Sequence, residues 1–178
     1  MGGRLAAQAA LRGLGRSPSP VLSGPRGAPT GPKGLNVSIS HKNNLAVALV
    51  ARSELGSIGI DLEHLEPARH GVAERVLRPE ELEAVRALPQ ERQWVATVLR
   101  FTIKEAIYKA LAPRLVRYIG FDEASVAPGV NGDAEIRLFL KSGDGPAHIE
   151  ARYIWLSTAV LATVRATWSP GTPATKSP

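Results

Sequence analysis

Residues 45–51 form a nearly unbroken apolar run, flanked by two runs that alternate apolar with polar, residues 37–41 and residues 58–63. Alternation is the mark of a strand with one wet face, whereas a continuous run implies a strand covered on both. Asn43 and Asn44 supply a turn between the first two runs, so the pattern predicts a hairpin followed by a third strand. A strand covered on both faces needs helices over the sheet, and the chain supplies them. Residues 3–14 form a short amphipathic pattern, and residues 67–88 contain a helix most regular after Pro79. Residues 89–111 carry the longest apolar stripe, through Val95, Leu99, Ile103, Ala106 and Ala110, which Pro113 is expected to end. Three further strand-like runs follow, at residues 124–127, 134–140 and 149–164, the last interrupted near Ser157. Two batches of strands around long helices predict an α+β protein of two similar lobes. Residues 169–178, rich in Pro, Thr and Ser, are expected to be a disordered tail.

Composition narrows the chemistry. Among 178 residues there is no cysteine, which excludes disulfides, thiolate metal sites and a cysteine nucleophile. No apolar run approaches the length of a membrane span. The net charge of +6 is unevenly placed: residues 1–36 hold Arg4, Arg12, Arg16, Arg26 and Lys33 and no acidic residue. Residues 17–34 are Pro, Gly and Ser with scattered basic residues and read as a long loop. Such a segment suits a transit peptide, a basic arm for nucleic acid or membrane, or a folded half-pocket for a polyphosphate, and composition alone does not choose.

Three constellations carry the chemistry. In the strand at residues 58–63, Ile58, Ile60 and Leu62 take one face and Gly59, Asp61 and Glu63 the other. Two carboxylates roughly 7 Å apart at the backbone repel unless water or a cation lies between them. Mg2+ suits a pair of hard carboxylate oxygens beside substrate phosphates, and Gly59 is expected to let a ligand approach the backbone. On the long helix, Glu105 and Lys109 share a face, with Lys104 about 100° round. Glu before Lys at this spacing is also an ordinary surface pair. The alternative is a third metal carboxylate with two lysines for phosphates. Ser38, Ser40 and His41 end a strand before a turn, where they read either as surface residues or as phosphate donors.

The order of these pieces resembles the Sfp-like 4'-phosphopantetheinyl transferases, more closely the enterobactin synthetase branch. The matching residues are Gly3-Arg4, Ser38-Ile39-Ser40-His41, Gly59-Ile60-Asp61-Leu62-Glu63, Lys104-Glu105-Ala106 with Tyr108-Lys109-Ala110, and Gly120-Phe121-Asp122. The resemblance implies an α+β fold of two pseudo-twofold lobes, each an antiparallel sheet packed on a long helix. It makes residues 1–168 a single domain, with a first lobe of about residues 1–100, short at its start, and a second of about residues 101–168. It implies transfer of the 4'-phosphopantetheine arm of coenzyme A to a serine of an acyl or peptidyl carrier protein, releasing 3',5'-ADP. Asp61, Glu63 and Glu105 are then expected to hold Mg2+. Lys104 and Lys109 would lie near the pyrophosphate, and Arg4, Arg26, Ser40 and His41 would bind the nucleotide's phosphates. Glu105 is the expected base, with Glu81 assisting. Arg69, Arg75, Arg78 and Arg86 are candidates for docking an acidic carrier helix. A cytoplasmic monomer acting on neither nucleic acid nor membrane completes the expectation. The rival readings are a Mg2+-dependent nucleotide hydrolase or transferase, a noncatalytic basic module, and an inactive shortened paralogue.

Overall fold

The structure is a computed structural model that describes residues 2–16, 19–24, 27–169 and 171. Arg26 and most of the C-terminal tail lie outside the described residues. The fold is α+β, built from helices on antiparallel sheets.

The first unit is small. Helix α1 (Gly2–Gly13) buries Gly3, Ala7 and Leu11, the i, i+4 spacing of one helix face. That face packs on the hairpin of β3 (Leu35–Lys42) and β4 (Leu45–Arg52), where Val37, Ile39, Ala48 and Val50 complete a small core. Gly3 lies against Ile39, and a Cβ there would come within 2.5 Å of the Ile39 side chain. The hairpin closes through Lys42 opposite Leu45, with Asn43 at φ 50 in the left-handed region that asparagine tolerates. The expected loop at residues 17–34 contains a short ladder, β1 (Leu22–Ser23) against β2 (Pro29–Thr30).

The apolar run of β4 is not covered on both faces as expected. Its interior residues, 46–51, are half-buried and its ends exposed, because a two-stranded hairpin under one helix offers full cover to neither side. Nor does the third strand join it. Strand β5 (Ser57–His64) pairs instead with β9 (Ala159–Thr167), over Ser57 opposite Ala166 to His64 opposite Ala159. It thereby becomes one edge of a five-stranded antiparallel sheet in the order β5-β9-β8-β7-β6, with β6 (Ala124–Pro128), β7 (Asp133–Leu138) and β8 (His148–Trp155).

Residues 67–88 contain two short helices, α2 (Val72–Val76) and α3 (Pro79–Arg86). Pro79 opens α3, and the Glu81 carboxylate accepts the Arg78 backbone N–H at 2.8 Å, satisfying a donor at the helix start. Helix α4 (Gln90–Leu115) runs past Pro113, which falls in its last turn and interrupts little of the ladder; Val116, at φ 53, ends the helix. Ile103, Ile107 and Leu111 of α4 are buried against Val160, Ala162 and Val164 of β9 in the main core.

Gly59 sets how closely α4 approaches β5. A Cβ there would lie 1.9 Å from the Ala106 carbonyl oxygen and 2.8 Å from the Ala110 nitrogen. The close approach that sequence assigned to a ligand is therefore occupied by the helix itself. Its consequence is that Asp61, on the same strand face, meets the polar side of α4.

Candidate active site

Among the described residues, strand β5 has no backbone ladder on its β3 side and is held there by side chains. Ser38 Oγ accepts the Ile60 N–H at 3.0 Å and Ser40 Oγ accepts the Leu62 N–H at 3.3 Å. The alternation Ser-Ile-Ser thus stitches the small hairpin to the large sheet. Ser40 Oγ also donates to Asp61 Oδ1 at 2.8 Å. Ser40, expected to bind phosphate, is buried and engaged with Asp61 and the Leu62 amide.

Asp61 is only 4% exposed. Its Oδ1 accepts from Lys109 Nζ at 2.7 Å as well as from Ser40, and Lys109 also donates to the Ile60 carbonyl at 3.1 Å. Its Oδ2 is buried without a hydrogen-bond partner among the described residues. A buried carboxylate oxygen left bare is costly, and a cation relieves it directly. Two positions on, Glu63 is bound by Lys42, whose Nζ lies 2.9 Å from Oε1 and 2.8 Å from Oε2. Across from them on α4, burial and then the negative charge of Asp61 push the Glu105 carboxyl above its ordinary pKa, with Glu63 adding to the rise and Lys109 and Lys42 opposing it. Three carboxylates from β5 and α4 therefore feel one another, with two ammonium groups among them.

Among the described residues, no three His, Cys, Asp or Glu side chains stand close enough to complete a metal shell by themselves. Mg2+ ordinarily needs only one or two carboxylates beside substrate phosphates and water. The all-oxygen donor set of Asp61, Glu63 and Glu105, with the bare Asp61 Oδ2, fits that demand.

Lys104 does not join this cluster. Its Nζ is buried on the other side of α4, 2.5 Å from Glu81 Oε2 and 2.9 Å from the carbonyls of Val76 and Phe121. Glu81 Oε1 accepts the Val126 N–H at 2.7 Å. Lys104 and Glu81, both expected in the chemistry, neutralise one another inside a network that ties α2, α3, α4 and β6 together. The 100° between successive helical residues is the reason: with Glu105 facing β5, Lys104 must face α3.

A cavity of about 580 Å3 opens beside the cluster, lined in part by Glu63, Arg69, Arg75, Phe101, Glu105 and Tyr118. Arg69 and Arg75 thus border it. Of the other two docking candidates, Arg78 packs 3.9 Å over the Phe139 ring and pairs with Glu80, and Arg86 pairs with Glu74. Arg4 donates to Ser23 Oγ at 3.0 Å, and exposed His41 lies beside the backbone of Gly3, so both stay on the α1 side of the hairpin. Lys42 was missed by sequence reasoning, although it lies two residues beyond Ser40 and so on the same strand face. Tyr118 was missed too, and nothing in its loop sequence announced it.

Solved structures share this fold. The holo-ACP-synthase of Plasmodium yoelii superposes with a TM-score of 0.53 at 18% identity, covering 65% of this chain and 96% of that one. The holo-(acyl-carrier-protein) synthase of Bacillus anthracis, solved in complex with CoA, gives 0.51 at 21%, covering 64% and 96%. Residues 57–164 match the 4'-phosphopantetheinyl transferase superfamily, and residues 1–51 match the 4'-phosphopantetheinyl transferase N-terminal domain. The chain belongs to the 4'-phosphopantetheinyl transferase superfamily. It is 35% identical over 160 residues to the 4'-phosphopantetheinyl transferase Npt of Nocardia iowensis, covering 84% of this chain and 65% of the relative. It is 32% identical over 173 residues to PptT of Mycobacterium tuberculosis, covering 93% and 70%. With Svp of Streptomyces mobaraensis the identity is 37% over 136 residues, covering 70% and 51%. The chain thus spans between about half and seven tenths of the length of these relatives.

Proposed function

We propose that the chain transfers the 4'-phosphopantetheine arm of coenzyme A to a serine hydroxyl of an acyl or peptidyl carrier protein, releasing 3',5'-ADP. The observation that carries this reading is the electrostatic coupling of Glu105 to Asp61, Glu63, Lys109 and Lys42, with Glu63 and Glu105 lining a cavity large enough for a cofactor-sized ligand. In the transfer, the serine oxygen forms a bond to the phosphorus that carries pantetheine, and the bond from that phosphorus to the bridging oxygen breaks. The electron pair leaves with 3',5'-ADP. Such a step demands positioning and neutralisation of charge more than covalent help from the protein.

Glu105 suits the proton acceptor. Its raised pKa makes it a better base than an exposed glutamate once ionised, and its place on α4 faces the two β5 carboxylates. Lys109, fixed by Asp61 and the Ile60 carbonyl, would lend its ammonium group to the charge gathering on the pyrophosphate oxygens. Mg2+ held by Asp61 and Glu63, with Glu105 alongside, would supply further neutralisation of the diphosphate. For the phosphates of the adenosine end the resemblance suggests Arg4 and His41, both on the α1 side, together with Arg26. The acidic face of a carrier protein would meet Arg69 and Arg75. We take one chain as the working unit and the cytoplasm as its compartment.

Incubating the protein with coenzyme A, Mg2+ and an apo carrier protein, then weighing the carrier by mass spectrometry, tests the proposal. A covalent gain of one phosphopantetheine arm is expected. Cleavage of coenzyme A with no gain on the carrier would make the chain a hydrolase instead.

A further inference from the structure

Lys42 stands out among the charged groups of the cluster. It is the last residue of β3, its backbone fixed by the closing pair of the hairpin, and its stem reaches across to β5. Its ammonium group straddles the Glu63 carboxylate, within 2.9 Å of one oxygen and 2.8 Å of the other. Both oxygens are thereby capped, and a cation approaching either one would stand within a few ångströms of a like charge. Lys109 differs. It is gripped by a backbone carbonyl as well as by Asp61, and it leaves Asp61 Oδ2 bare. Lys42 has only the Glu63 carboxylate among the described residues, and its side chain is 29% exposed against 13% for Glu63, so it can swing out into water.

We propose that Lys42 is a tethered counter-ion that occupies Glu63 until a divalent cation displaces it, and that it thereby raises the cation concentration at which the site fills. This rests on the reading that Asp61, Glu63 and Glu105 bind a divalent cation. The order of filling follows from the contacts. Asp61 Oδ2 offers the first ligand, since no counter-ion has to leave it, and Glu63 joins only as Lys42 withdraws. The site would then stay neutralised, and the hairpin held to β5, while no cation is bound.

The test needs neither substrate nor turnover. Mn2+ binding to the intact protein, without coenzyme A, is measured by calorimetry and by electron paramagnetic resonance for wild type, Lys42→Met, Lys42→Gln and Asp61→Asn. Removing a partly exposed ion pair that competes with the ligand is expected to tighten Mn2+ binding roughly three- to fivefold in both Lys42 variants. Asp61→Asn is expected to weaken binding at least tenfold. Two substitutions at position 42, one apolar and one polar, guard against a local packing defect in either. If Asp61→Asn weakens binding but both Lys42 variants bind Mn2+ no tighter than wild type, the counter-ion role is wrong and the metal reading survives. If Asp61→Asn binds as wild type does, or wild type does not bind at all, the metal reading fails and this proposal falls with it.

Discussion

Glu81→Ala is predicted to damage the fold before it touches the chemistry. The Glu81 side chain is 3% exposed and its partner Lys104 1%. Removing the carboxylate strands the Arg78 and Val126 N–H groups and leaves the Lys104 ammonium with two carbonyls and no counter-charge. Burial already depresses the Lys104 pKa, and Glu81 is what pushes it back up. Breaking a buried ion pair from one side costs about 3–5 kcal/mol. At roughly 2–4 °C per kcal/mol for a domain of this size, the melting temperature should fall by about 6–20 °C. Thermal unfolding of wild type, Glu81→Ala, Lys104→Met and the double variant closes a cycle. The double variant should recover part of the loss, since neither charge is then left alone, though the two amides stay unpaired. Turnover measured well below each melting temperature should largely persist. A Glu81→Ala protein that melts within about 2 °C of wild type yet has lost turnover would refute the reasoning and return Glu81 to the catalytic machinery.

Other consequences can be checked as directly. Gly59→Ala forces a Cβ against the Ala106 carbonyl and should cost at least about 3 kcal/mol, read by urea unfolding, because backbone rather than a flexible side chain must move. Glu105 has a raised pKa in the folded state, so the protein binds its proton more tightly folded than unfolded. Its contribution to stability is therefore full below the ordinary glutamate pKa and is lost as pH rises through the raised value. Glu105→Gln should melt higher than wild type at pH 8 in metal-free buffer, with the gap closing towards pH 4, while abolishing transfer to the carrier. Burial alone would raise Glu123, but the Arg117 guanidinium and the amides of Lys141 and Gly120 outweigh it and hold the carboxyl at about 2. Its contribution is present above the unfolded value and lost as pH falls towards 2, so Glu123→Gln should flatten the acid limb of a pH–melting curve.

Local pattern carried the chemistry of this chain further than its architecture. The period-two alternation of residues 58–63 placed Asp61 and Glu63 on one face, and the 3.6-residue helical period placed Glu105 with Lys109, because both rules act within a few residues. Which face looks at what is decided by packing. Gly59 lies on the carboxylate face, and only the docking of α4 against β5 reveals that its missing side chain admits a helix rather than a ligand. The split of neighbours Lys104 and Glu105 between a buried structural pair and the open cluster likewise required the positions of α3 and β5 on either side of the helix. Strand pairing was the least legible. The partner of β5 is β9, about a hundred residues away, and not the adjacent hairpin, since alternation specifies a strand and its wet face but carries no information about which edge it will join. Residue types and their spacing thus determined which groups could do the chemistry. Long-range burial, by setting which faces meet, decided which of them come together.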